Sequence, residues 1–151
     1  MSEARTYKVK SPLARQLHAP GGRTVHEATR LAGQELAGHR DDVMATIAAT
    51  LDELDDIAAK AADDAGPRVY RLASTVIDLG GFFDIGPLHD ATFSLCDVAD
   101  RMSATGSWHW PSVLVHLQAM RLILAGGCRT GKTSDALLAG LRSVSQRSVA
   151  G

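Results

Sequence analysis

The stretch PRVYRLASTVIDLGGFFDIGPLHDATFSLCDVAD, Pro67 to Asp100, carries two amphipathic helical patterns on either side of a glycine-containing turn. Pro67 suits a first helical position, where its missing amide hydrogen is not needed. From there Val69, Leu72, Val76, Leu79 and Phe83 recur at three- and four-residue spacing, which predicts one continuous buried stripe. Gly80 and Gly81 weaken the end of that helix. Beyond Asp84 to Gly86, the series Leu88, Ala91, Leu95, Val98 and Met102 predicts a second helix with its own apolar face, closed by Thr105 to Trp110.

Working outward, the same periodicity accounts for most of the chain. Residues 1–23 end in Pro20, Gly21 and Gly22 and show little repeat, so they read as an extended basic arm. Thr24 followed by Glu27 is a capping-box pattern, opening a helix from Val25 to about Gly38. Asp41 or Asp42 then caps a further helix whose Val43, Ile47, Leu51, Leu54 and Ile57 face inward, running to about Ala62. Downstream, Pro111 opens a helix with Val113, Leu117, Met120 and Leu124 inward, ended by Gly126 and Gly127. A last short helix uses Leu137, Leu141 and Val144. No segment alternates as a strand does, and the short connections favour antiparallel neighbours. The expected fold is all-α: an antiparallel up-and-down four-helix bundle with flanking N- and C-terminal helices. Its expected divisions are the arm at 1–23, one helical domain at 24–147 and a tail at 148–151.

Composition narrows the function classes. The 151 residues are 45% hydrophobic and 22% charged with a formal net charge of -1, ordinary for one globular domain. A nucleic-acid-binding domain would be strongly basic, so none is expected. The charge is uneven, however. Arg5, Lys8, Lys10, Arg15 and Arg23 make the arm basic, while Asp41, Asp42, Asp52, Glu53, Asp55, Asp56, Asp63 and Asp64 make the next helical region acidic. Asp52, Asp55 and Asp56 read as a solvated flank in preference to a basic partner's site. Two cysteines, Cys96 and Cys128, lie outside metal-ligand spacing, which argues against a disulfide framework or a zinc site. No apolar run approaches the roughly 20 residues that cross a bilayer. A cytoplasmic protein with no cofactor, no metal and no membrane partner is expected, and self-association as a homodimer is left open.

Four local features carry candidate chemistry. GGCRTGKT, Gly126 to Thr133, satisfies the pattern of a phosphate-cradling loop whose lysine here would be Lys132. That loop requires a preceding strand and a following sheet, whereas RLILA continues a helical period and only 18 residues follow Thr133. A glycine-ended helix, with Thr133 or Ser134 capping the next, is the favoured reading. The histidines are His18, His26, His39, His89, His109 and His116. Of these, His89 lies beside Asp90 in a first helical turn, and His116 lies one step off a buried stripe. Both read first as boundary residues satisfied by neighbouring groups, and second as alternative phosphoacceptors. The aromatic connection Trp108, His109, Trp110 and Pro111 reads as a staple over helix ends in preference to a partner hot spot. Cys96 reads as core, and Cys128 as an exposed loop thiol.

Val69 to Asp100 resembles the centre of a histidine-phosphotransfer domain, which carries an exposed acceptor His and a glycine turn into the next helix. Alignment from Ser94-Leu95-Cys96 puts Ser74 at the acceptor position, and alignment on Gly80 and Gly86 puts Val76 there. Ser74 is preferred, because Val76 belongs to the buried stripe and an acceptor must meet solvent. Neither supplies a histidine, and a serine hydroxyl does not replace the imidazole nitrogen of the relay. More widely, residues 7–149 resemble the CheE proteins of alphaproteobacterial chemotaxis gene clusters. The resemblance rests on TYKVKSPLARQLHAPGG at Thr6 to Gly22, SLCDVAD at Ser94 to Asp100, WHWPSVLVHLQAMRLI at Trp108 to Ile123 and LAGLRSVSQRSV at Leu138 to Val149. These resemblances imply a non-catalytic, phosphotransfer-like adaptor in two-component or chemotaxis signalling. It would dock a response-regulator receiver domain or a histidine kinase through Tyr70, Arg71, a small exposed Ser74, Thr75, Asp78 and His89. The alternatives are a true phosphotransferase using His89 or His116, a P-loop-like nucleotide binder, and a structural bundle.

Overall fold

The computed structural model describes residues 21, 24–62, 64–81 and 83–147, and these contain five helices and no strand. The protein is thus all-α. The helices are α1 (Val25–Lys60), α2 (Gly66–Gly80), α3 (Pro87–Thr105), α4 (Trp110–Ala125) and α5 (Lys132–Arg147). The expected arm, apart from Gly21, and the expected tail at 148–151 lie outside the described residues. By packing, the chain divides into Met1–His39 and Arg40–Gly151.

Helix α1 corrects the expected pair of helices over 25–62, because it runs unbroken through Gly38 and Asp41. It begins as its sequence predicts: the Glu27 amide donates to Thr24 Oγ1 at 3.2 Å. Within the first unit the described side chains are exposed apart from half-buried Leu31, and Val25 and Leu36 stand in solvent. Gly38 has open space where a Cβ would sit, and Asp42 continues the helix with its carbonyl accepting from Thr46 Oγ1 at 2.9 Å. Cap-forming residue types are tolerated there as ordinary exposed helix positions.

In the second unit, Ile47, Leu51 and Leu54 of α1 join one core with Val69, Ala73 and Val76 of α2. Leu88, Ala91, Leu95, Val98 and Met102 of α3 occupy it as their spacing predicts, with Val113, Leu117 and Met120 of α4 and Leu141 of α5. Helix α3 is central, packing against α2, α4 and α5, while α4 also packs against α5. The acidic flank of α1 is not simply solvated. Arg121 of α4 donates to Asp52 at 2.6 Å and Asp55 at 2.5 Å, and Arg68 of α2 pairs with Glu53. The basic partner for that flank is supplied by the chain itself.

The connections are set by a few close contacts. Helix α2 stops at Gly80, so Phe83 lies half-buried in the turn and does not extend the α2 stripe. A Cβ at Gly80 would fall 2.1 Å from Ile85 Cδ1, so a larger residue there would have to displace the buried Ile85 side chain. At the other end of α2, Trp108 lies over Gly66 closely enough that a Cβ there would strike the indole 2.0 Å away. With Trp110 at a ring-centroid distance of 5.4 Å, this is the expected aromatic staple.

Candidate functional site

Along α2, Tyr70, Ser74 and Asp78 follow at four-residue intervals and Arg71 and Thr75 lie beside them. All five therefore share one side of the helix. Tyr70, Arg71 and Asp78 are exposed. Thr75 is half-buried, and its hydroxyl donates to the Arg71 carbonyl at 3.0 Å. Ser74 departs from the expected exposure: it too is half-buried, beside the Cys96 thiol of α3. Burial pushes the Cys96 thiol up, and the Ser74 hydroxyl acts in the opposite direction. Ser74 is thus a small residue on the α2 face that also lies against α3.

Helix α3 adds residues that the sequence reading passed over. Phe93 is 62% exposed, with Asp90, Asp97 and Asp100 exposed on the same side. Its signal was legible: Phe93 falls between Ala91 and Leu95, out of phase with the apolar series, so the helix must turn it outward. Asp97 is held by Arg101 one turn on. His89 is exposed in the first turn of α3, with Nδ1 3.7 Å from Asp90. It lines an open cleft of about 550 Å³ with Gly80 at the end of α2 and with Asp84, Gly86, Thr130 and Asp135.

His116 is neither a boundary residue nor an accessible acceptor, since it has no exposed surface. Its Nδ1–H donates to the Ser112 carbonyl at 2.7 Å, leaving Nε2 to accept from Ser94 Oγ at 3.0 Å. Ser145 Oγ of α5 lies 3.1 Å from Ser94 and 3.5 Å from Nε2, so the imidazole ties α3, α4 and α5 together. Burial lowers its pKa from the usual histidine value, opposed by the Ser112 bond. A phosphoryl donor has no route to either nitrogen.

The loop Gly126 to Thr133 folds as a helix terminus. The Gly127 amide donates to the Leu124 carbonyl at 2.9 Å and the Cys128 amide to the Ile123 carbonyl at 2.9 Å, with Gly127 at a φ of 70°. This is the paired-bond helix stop that glycine favours. It also folds Cys128 inward, so that thiol is buried and not exposed as expected. Gly131 occupies the cap position of α5, where Ser134 Oγ accepts from its amide at 2.9 Å. A helix precedes this loop where a phosphate-cradling loop would need a strand. Among the described residues no group of three or more His, Cys, Asp or Glu side chains could hold a metal ion, and no helix is long and apolar enough to cross a membrane.

Compared with family models, curated proteins and solved structures, the chain matches none of them.

Proposed function

We propose that this chain is a non-catalytic, CheE-like adaptor in two-component or chemotaxis signalling. It acts in the cytoplasm by docking a response-regulator receiver domain or a histidine kinase. In this reading α1 to α4 form an antiparallel up-and-down bundle of phosphotransfer type, flanked by the N-terminal part of α1 and by α5. Support for the arrangement comes from the packing of α2 on α3 and of α3 on α4 and from the short connections between them.

The single observation that carries the proposal is the α2 face itself. Exposed Tyr70, Arg71 and Asp78 surround a small Ser74 where a phosphotransfer domain would present a histidine. A receiver could approach such a face, whereas a half-buried serine hydroxyl is no relay nucleophile. His89 is the histidine that could serve a second reading, because it is exposed beside Asp90.

Calorimetric titration with receiver domains and kinase dimerisation domains tests both readings. Binding weakened about tenfold or more by Arg71→Glu and by Ser74→Arg is expected. Arg71→Glu is the cleaner variant, since Arg71 is exposed and Ser74 is packed against Cys96. Phosphoramidate on His89 after incubation with an active kinase, lost in His89→Gln, would replace docking with phosphotransfer.

A further inference from the structure

Helix α4 has two apolar faces. The inner one, which includes Val113, His116, Leu117, Met120 and Ile123, is buried. At about 100° per residue, the direction opposite its centre falls on Gln118. Around Gln118 lie Pro111, Leu114, Val115, Leu122 and Ala125, all exposed, with Leu122 at 60%. None of the six is charged. The outward faces of the other helices in this unit are charged, as with Arg71 and Asp78 on α2, Asp90 and Asp100 on α3, and Asp135 and Arg142 on α5. A solvent-facing helix side that carries no charge, with five apolar residues around one glutamine, calls for a partner.

The stripe is also self-complementary. Leu114 and Leu122 stand four residues either side of Gln118, and Pro111 and Ala125 seven residues either side. We infer that α4 is the contact of a symmetric homodimer, two copies crossing antiparallel with the two-fold axis at Gln118. Such an isologous contact requires that each residue meet its own mirror position. Here Leu114 meets the partner's Leu122, Pro111 meets the partner's Ala125, and Val115 covers the aliphatic stem of the partner's Arg121. The two Gln118 amides face each other across the axis, and each has both a donor and an acceptor to exchange.

Charge favours a second copy over other occupants. Arg121, the nearest charged side chain on α4, is already clasped by Asp52 and Asp55 of its own chain. The two-fold therefore brings no uncompensated like charges together. A lipid surface would want lysine or arginine flanking the apolar stripe, and the neighbouring α1 residues are acidic. The stripe is about 21 Å long and one helix wide, less than the standard interface of about 1,600 Å², so the dimer is weak and concentration-dependent. This contact is independent of the docking face on α2.

Sedimentation equilibrium of the full chain from about 5 to 500 µM tests it. The expected result is a monomer–dimer equilibrium that Leu122→Asp and Gln118→Lys each weaken at least tenfold, with far-UV circular dichroism unchanged. Under mild oxidation Gln118→Cys should cross-link to itself while wild type, whose two cysteines are buried, does not. A monomer throughout the range, or a dimer indifferent to both charged variants, overturns the proposal. So does a dimer in which Gln118→Cys fails to cross-link, or co-sedimentation of the monomer with anionic vesicles that Leu122→Asp abolishes.

Discussion

At His116 the burial of a titratable ring couples packing to pH. Nε2 serves as an acceptor for Ser94, with Ser145 beside it, and protonation would turn it into a third donor among hydroxyls while placing a charge in the core. Burial lowers the folded-state pKa below the unfolded value of about 6.5, so the unfolded chain binds the proton more readily. The stability that neutral His116 contributes is fully present above that unfolded value. It is lost as pH falls below it, levelling off once the folded pKa is passed. Thermal unfolding should show the midpoint dropping between about pH 7 and 5, with a slope from this group of at most about 1.4 kcal/mol per pH unit. His116→Gln should be less stable at pH 7 by about 1–3 kcal/mol and should lack this component of the slope. An unchanged pH profile in that variant would remove His116 from the explanation. The sequence placed His116 one step from the stripe, but it could not reveal that Ser94 and Ser145 converge on the ring, because those partners come from separate helices.

Among the elements, α1 is the most extended, with 36 residues in one run. Gly38 passes through it exposed and with open space around its Cα hydrogens. Glycine in a helix interior costs about 0.5–1 kcal/mol relative to alanine through backbone entropy alone. Gly38→Ala should therefore raise the ellipticity at 222 nm and stabilise the helix locally by about that amount. A loss of helicity would indicate a break at Gly38 that the continuous helix does not contain. The missed continuity has a physical origin: glycine and aspartate are enriched at helix ends, yet an exposed helix position tolerates both at modest cost. By contrast, α3 was legible almost residue by residue, since Leu88, Ala91, Leu95, Val98 and Met102 are all buried as their period requires. The Schellman-type stop after α4 was legible from Gly126 and Gly127, but the inward fold of Cys128 was not. That burial follows from the backbone reversal at Gly127, which carries the next side chain back toward the helix.

On the scale of the whole molecule, two faces with different chemistry are on offer. The α2 face mixes Tyr70, Arg71 and Asp78 around Ser74, a polar and charged surface suited to a specific, reversible contact. The outward face of α4 is uncharged and suited to its own copy. The candidate site was partly legible in sequence, because the five α2 residues share a phase that periodicity reveals. The half-burial of Ser74, the outward Phe93 and the cleft beside His89 depend on how α3 packs, which periodicity along one helix does not encode. Affinity capture from a lysate of cells that carry this protein, at low salt to preserve weak electrostatic contacts, is the most direct measurement. With tagged wild type and Arg71→Glu compared by mass spectrometry, docking through α2 predicts a receiver protein or histidine kinase retained by wild type and lost by the variant. Folded bait that retains no signalling protein, or retains one equally with Arg71→Glu, would contradict docking through α2.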